Sequence, residues 1–295
     1  MNIDRLRAFV RFSEHLNFTQ AAAALHISQP ALHAQVARLS EELGVPLYLR
    51  QGRTLHLTRE GARVAAFGRD LLAQVTAFED TLRGRSTPAP VTLAAGEGSL
   101  LYLLGPAIQT FTARQLAPLR LMTADLRATV EALRLGNAQL GVAALSEPPE
   151  DISATPLTDV GPALLVPAWH PLAAGRAPVP LAALSGEPLI VPPRGRPHRE
   201  AISAALLEAG VRWQVAVEAG GWELMRHFVA MGLGLAIVNG FCPPPPGGIR
   251  RPLEGLPNRR YWILQRRGAT LPPAAHALRE LLLAHGQDWS ADAPR

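Results

Sequence analysis

The feature that most limits what this 295-residue chain can become is a proline-free helical run from Thr58 to about Arg85, stopped by Gly84-Arg85-Ser86-Thr87-Pro88-Ala89-Pro90. Proline inside a helix removes a hydrogen bond and clashes with the preceding turn. With 27 prolines in the chain, a long stretch without one is a positive signal. Thr58 is placed to cap the run. Phe67, Leu71, Val75, Phe78 and Leu82 then recur at spacings of three and four, the period of one helix face. About 27 residues span roughly 40 Å, a length with nothing to bury itself against inside one small domain. A partner helix is the simplest answer, with packing against its own chain as the alternative. The glycine- and proline-rich stop is the best linker in the chain and separates two different patterns.

Before the long helix the pattern is helical and short. Leu6, Phe9, Val10 and Leu16 make an apolar stripe, and Phe18 to Leu25 is a second helix whose alanines allow close approach. His26-Ile27 turns the chain, and Ser28 can cap a third helix that carries Pro30 in its first turn, where a missing amide hydrogen costs little. Leu32, Val36, Leu39 and Leu43 face a core, while Pro30, Ala34 and Ala37, flanked by His33 and Arg38, leave a slim mixed face that a DNA major groove accepts. Leu47 to Arg50 alternates against Thr54 to Leu57 around Gln51-Gly52-Arg53, a short hairpin. Such a wing can put Arg53 into a minor groove with Arg50 near a phosphate. On pattern alone, a small structural domain of three helices and a hairpin is the alternative to DNA binding.

After Pro90 short apolar strands alternate with amphipathic helices. Val91–Ala95, Leu119–Met122 and Leu140–Leu145 read as strands, with helices over Leu100–Phe111 and Asp125–Leu135. That βαβαβ order implies a parallel sheet. A second set follows in Ala163–Val166, Leu189–Val191, a helix from His198 to Ala209, Val215–Glu218, a helix from Gly221 to Met231, and Leu235–Val238. A late strand at Tyr261–Leu264 and a helix over Pro273–Ala284 could return to the first set, giving two lobes with a cleft between them.

Composition narrows the function classes. Hydrophobic residues make up 48% and charged residues 18%, a globular balance. The longest apolar stretches are too short to span a bilayer, so no membrane partner is expected. The start has an acid and a base with no apolar run behind them, unlike a secretory signal, and a cytoplasmic location is expected. One cysteine excludes an intramolecular disulfide or a cysteine-clustered metal site. The net charge of +5 permits nucleic-acid binding without demanding it, and the absence of lysine reads as a GC-rich coding sequence. There is no nucleophile-elbow serine, no histidine pair at metal spacing and no glycine-rich phosphate-binding loop before a helix, so neither catalysis nor a cofactor is expected.

The run Phe18-Thr19-x-Ala21-Ala22-x-x-Leu25-His26-Ile27-Ser28-Gln29-Pro30-Ala31-Leu32, with Glu42-Leu43-Gly44-Val45-x-Leu47, Arg50 and Leu57-Thr58-x-x-Gly61, resembles the N-terminal signature of the LysR-type transcriptional regulators. The resemblance implies an α/β chain with an N-terminal winged helix-turn-helix, a long linker helix and a two-lobed periplasmic-binding-protein-like (type 2) effector domain. It implies double-stranded operator DNA, a small-molecule effector and a homodimer or homotetramer as partners, with RNA polymerase added if the protein activates. Gln29, Pro30 and His33 would touch base edges, Arg53 would sit in the wing, and Thr19, Ser28, Arg38 and Arg50 complete the expected interface. His33 stands where the family commonly has serine, and Ser40 replaces a usual acid, which leaves the base preference open. The expected domains are residues 1–58 for DNA binding, 59–88 for the linker and dimerisation helix, 89–160 with 260–290 for one effector lobe, and 161–259 for the other.

Effector contacts are expected at strand ends and helix N-termini. Gly98 and Ser99, in Gly96-Glu97-Gly98-Ser99, offer backbone amides and a hydroxyl, although Glu97 would repel an anion and an ordinary turn is the alternative. Arg194, Arg196, His198 and Arg199 could bind a carboxylate or phosphate, which makes an anionic metabolite the preferred effector, or could form a solvated basic loop. Gly221 and Trp222 are the third candidate, with Trp222 as a core residue the competing reading. Gly232-Leu233-Gly234 reads as a helix stop, and Cys242 lacks a partner thiol for a redox switch.

Overall fold

A computed structural model of the chain describes residues 2–52, 54–82 and 88–292. Helices α1 (Ile3–His15), α2 (Phe18–Ala24) and α3 (Gln29–Leu43) each begin on a side-chain cap. Asn2 accepts from the amides of Asp4 and Arg5, Asn17 from those of Thr19 and Gln20, and Ser28 from that of Ala31, which satisfies donors that a helix start leaves unpaired. Leu6, Phe9, Leu32, Val36 and Leu39 are fully buried among them. Phe12, outside the expected stripe, is also fully buried and stacks on Phe18 at 4.3 Å between centroids. Burying a side chain of that size stabilises by roughly 1.5–3 kcal/mol. Strands β1 (Tyr48–Gln51) and β2 (Thr54–Leu57) pair antiparallel as the wing, but its expected tip contact, Arg53, lies outside the described residues.

Helix α4 (Arg59–Leu82) is the long linker, 24 residues and ~36 Å. The Thr58 hydroxyl accepts from the Gly61 amide at 2.9 Å and donates to the Pro46 carbonyl at 2.6 Å, so the cap also ties the helix to the wing. A Cβ on Gly68 would sit 2.6 Å from Val10, and glycine there is what lets α4 lie against α1. Its apolar face is divided. Ala65 is buried on its own chain, whereas Phe67, Phe78 and Leu82 are 48%, 64% and 71% exposed and available to a partner.

The rest of the chain runs β3 (Val91–Ala95), a π-turn at Ser99–Leu103, α5 (Gly105–Ala113), β4 (Leu119–Thr123), α6 (Leu126–Arg134), β5 (Leu140–Ala144), β6 (Ile152–Val160), β7 (Pro162–Pro167), β8 (Val179–Pro180), β9 (Pro188–Val191), α7 (Pro197–Glu208), β10 (Gln214–Glu218), α8 (Trp222–Ala230), β11 (Leu235–Asn239), β12 (Gly248–Glu254), β13 (Arg259–Arg266) and α9 (Pro273–Asp292). One sheet has the order β4-β3-β5-β13-β6 and the other β10-β9-β11-β7-β12-β8. Strand β3 is parallel to β4 and β5, and β9 is parallel to β10 and β11. The chain leaves the first sheet after β6 and returns to it in β13, so two connections cross between the lobes. No described helix is long and apolar enough to cross a membrane.

Several elements differ from the sequence expectation. The helix expected over Leu100–Phe111 is two pieces, because Pro106 has no amide hydrogen to continue the first. Strand β6 carries Pro156 at a register shift on the sheet edge, a place where a strand tolerates proline but no longer shows its alternation. Strand β12 was hidden by Pro252 and by Arg251, which is buried because its guanidinium donates to the carbonyls of Leu172, Ala174 and Ala177.

A Cβ on Gly61 would overlap the Leu47 carbonyl, which is backbone and cannot move aside. Gly61→Ala is expected to destabilise the N-terminal unit by about 3 kcal/mol in urea unfolding, and an unchanged midpoint would show that α4 does not start as described.

Candidate DNA interface and ligand cleft

The N-terminal turn of α3 is presented by its cap and its neighbours. Ser28, Gln29, Pro30, His33 and Arg38 are all exposed, and Thr19 at the start of α2 joins Gln29 through its hydroxyl, which donates to Gln29 Oε1 at 3.3 Å. That contact fixes the amide of Gln29, leaving its nitrogen as the free donor. His33 is held between aromatic neighbours, with its ring 5.0 Å from that of Phe18 and its Nε2 3.4 Å from the Tyr48 hydroxyl. The histidine thus leans on the first wing strand through Nε2. Tyr48 was missed in the sequence, where it read only as a strand residue. Arg50 is exposed, and its Nε donates to the Gly52 carbonyl at 3.0 Å, so it braces the wing turn.

The second site is a cleft of about 650 Å³ between the two sheets. It lies at the C-terminal ends of β3, β4 and β5 on one side and of β9, β10 and β11 on the other, where parallel sheets present loops and helix N-termini. Its floor joins the lobes. Asn239, at the end of β11, donates from Nδ2 to the Tyr261 hydroxyl at 2.7 Å, and the Ser99 side chain hydrogen-bonds the same hydroxyl. Burial pushes the Tyr261 phenol up to about 12, so it remains protonated.

Of the residues expected at the effector site, Ser99, Arg196, His198, Gly221 and Trp222 line this cleft. Three do not. Gly98 packs against the Trp222 indole, and a Cβ there would stand 2.6 Å from its Nε1; it is a lobe-to-lobe contact with no room for a ligand. Arg199 is buried and stacks over Trp213 at 4.8 Å, and Arg194 is exposed with its amide bound to Glu218. His198 lines the cleft but cannot serve as a cation. Its Nε2 donates to the Ile237 carbonyl at 2.9 Å, its Nδ1 meets the Arg259 guanidinium at 3.3 Å, and burial pulls its pKa down to about 4. A half-buried positive charge that does line the cleft is Arg259, which sequence reasoning missed. It lies at the first position of β13, and only the return of that strand to the first sheet brings it beside His198.

Charge across the cleft is balanced. Arg196 faces Asp125 at 3.9 Å, and the Glu97 carboxylate lies about where a Cβ on Gly221 would be 3.0 Å from it, against the N-terminus of α8, whose dipole favours an anion. Glu97, expected to repel an anion, thus places its own carboxylate at the start of α8. At the rim the Tyr102 hydroxyl donates to Glu223 of α8, which also receives Arg226, and this latch bridges the lobes.

The family described as LysR substrate binding domain matches residues 85–287, and the bacterial regulatory helix-turn-helix protein, lysR family, matches residues 3–62. The RuBisCO operon transcriptional regulator of Allochromatium vinosum is 28% identical, with 96% of each chain covered. The hydrogen peroxide-inducible genes activator of Escherichia coli O6:H1 is also 28% identical, covering 96% of this chain and 95% of that one. Among solved structures, a full-length OxyR variant from Pseudomonas aeruginosa matches with a TM-score of 0.70 at 27% identity, covering 97% of this chain and 95% of that one.

The neutral state of His198 makes stability depend on pH. Its folded pKa of about 4 lies below the ordinary value of 6.5, so the unfolded chain binds the extra proton between them. Stability is therefore complete above about pH 6.5 and falls as pH drops toward 4, by up to ~1.4 kcal/mol per unit from this one group. Urea unfolding at pH 7.5 and pH 5 should show that loss, and His198→Gln should reduce it; an identical slope in the variant would overturn the assignment.

Proposed function

The chain belongs to the LysR family of DNA-binding transcriptional regulators, and from that premise we propose that α3 and the wing read an operator under the control of a small anionic metabolite held in the interlobe cleft. The families and relatives it matches are regulators and not enzymes. The functional division that goes with this reading is residues 1–58 for DNA binding, 59–88 for the linker and dimerisation helix, and two effector lobes over 89–160 with 260–290 and over 161–259. Exposed Phe78 and Leu82 on α4 support a homodimer through that helix, with a tetramer as its further assembly. The work is done in the cytoplasm, and where it activates, RNA polymerase is a further partner.

Base edges are touched by Gln29, Pro30 and His33. Arg38, Arg50 and Arg53, with Thr19 and Ser28 near the backbone, position the helix on phosphates or in the minor groove. The observation that carries the effector half is the floor formed by Ser99, Tyr261 and Asn239, whose hydrogen bonds span both lobes where six parallel strands end. An anion entering here meets Arg259 and Arg196 and displaces Glu97 from the start of α8, with Gly221 and Trp222 forming the wall. A ligand that binds one arrangement of the lobes more tightly than another shifts the population between them, and DNA geometry with it.

One relative is named for induction by hydrogen peroxide. In this chain the single cysteine, Cys242, is buried, and burial pushes its thiol up to about 12, so the nucleophilic thiolate is absent at neutral pH. Reversible binding in the cleft is favoured over thiol oxidation.

Gln29→Ala is expected to weaken operator binding by about 1–3 kcal/mol and to relax the preference at one base pair, whereas Arg38→Ala should weaken all sequences alike and lower the salt slope by about 1. Gel-shift titrations at several salt concentrations separate the two, and uniform loss in both would remove Gln29 from base readout. For the cleft, footprints at the protein's own promoter with a panel of carboxylate metabolites should change with one of them. Arg259→Ala should weaken that response by roughly 1.5–3 kcal/mol without loss of DNA binding; an unchanged footprint across the panel would overturn the effector reading.

A further inference from the structure

The charges lining the interlobe cleft do not all cancel one another. Apart from Tyr261, the ionisable side chains there are Glu97, Asp125, Arg196, His198 and Arg259. His198 is neutral, its pKa pulled down to about 4 by burial. Arg196 and Asp125 answer each other at 3.9 Å. One carboxylate and one guanidinium are left over. Glu97 is exposed and has neither a hydrogen bond nor an ion pair among the described residues. Arg259 is half-buried, and its guanidinium meets only the neutral ring of His198, at 3.3 Å. A cleft with an unpaired group of each sign is complementary to a ligand that carries both signs itself.

The two groups lie along one wall. The Glu97 carboxylate is 3.0 Å from where a Cβ on Gly221 would stand, at the start of α8. The next residue, Trp222, sets its indole 5.2 Å from the His198 ring, and Nδ1 of that ring meets Arg259. Carboxylate and guanidinium are thus separated by one indole and one imidazole. A zwitterion held by two charge-assisted hydrogen bonds of ~2.8 Å, with ~3 Å between its own ammonium and carboxylate, spans ~9 Å. Leu126, Trp222 and Met225 add apolar surface to the same lining. A plain carboxylate has to displace Glu97 or lie beside it, and like charges at close range in a partly desolvated place repel. An ammonium on the same molecule turns that repulsion into attraction.

We infer that the effector of this cleft is an α-amino acid with an apolar side chain, its carboxylate on Arg259, its ammonium on Glu97 and its side chain against Trp222. This rests on the effector reading given above and narrows it, from a carboxylate metabolite to one that brings its own counter-charge.

Thermal-shift scans of the full-length protein with each common L-α-amino acid, followed by titration calorimetry, test this. One of the apolar amino acids should bind at one site per chain. Its deamino acid, the same carboxylate without the ammonium (4-methylpentanoate in the case of leucine), should bind roughly tenfold or more weakly. Glu97→Gln should weaken the amino acid by a similar factor while leaving the deamino acid as it was or tighter, and Arg259→Ala should weaken both. No binding of any amino acid at millimolar concentration, equal affinity for the deamino acid, or an amino-acid affinity unchanged by Glu97→Gln would each overturn the inference. The effector reading falls separately. A footprint that responds to an ammonium-free carboxylate and to no amino acid keeps the cleft as an effector site and removes the amino acid from it.

Discussion

The antiparallel ladder between β6 and β13 is the constraint on which the rest of the effector domain depends. The chain leaves the first sheet at the end of β6 and re-enters it at the start of β13, and the ladder pairs Val160 with Arg259. Both crossings between the lobes are therefore forced to lie side by side. The Gly240 amide donates to the Gly161 carbonyl at 2.8 Å, which fastens the end of β11 to the first crossing. Two sheets joined along one narrow line can change their angle but not their register. A cleft opposite that line follows from the connectivity.

Burial decides the electrostatics of that cleft. His198 and Arg259 are within hydrogen-bonding distance, and two adjacent cations in a desolvated place are unfavourable, so the group with the lower intrinsic pKa gives up its proton. The histidine then accepts from the arginine and orients it. The same reasoning leaves Tyr261 protonated, so its hydroxyl keeps a proton to donate while it accepts from Asn239. What remains to meet a ligand is one oriented guanidinium, a hydroxyl floor and the start of α8, with the Glu97 carboxylate beside it.

Local order was legible in the sequence wherever the physics is local. Ser28 and Gly44 mark the ends of α3 by their own capping chemistry, and that helix falls within a residue or so of where those signals place it. Ser99 and Trp222 were legible because they sit at strand-to-helix turns. Arg259 was not, since its position depends on pairing with a strand almost a hundred residues earlier, and that strand, β6, is disguised by Pro156. Arg199 failed for a related reason. Its neighbours in the sequence are basic and loop-like, but its own side chain points back over Trp213, a residue of the following turn. Charge clustering along a sequence does not report which member a fold turns inward.

One strand ties the cleft to the helix that carries the DNA-binding unit. Strand β13 bears Tyr261 in the cleft floor and, five residues on and ~17 Å away, Arg266, which pairs with Asp70 of α4. Arg69, the next residue on that helix, reaches α6 on one side and Ser13 of α1 on the other. A strand hydrogen-bonded on both edges, to β5 and β6, moves as a rigid body. Rotation of the first lobe against α4 must therefore break or carry along the Asp70 and Arg69 contacts together. Because α4 is continuous from the wing to Leu82, a new angle at that joint becomes a new angle of α3 relative to the effector domain. In a dimer joined through α4, it becomes a new spacing between the two recognition helices.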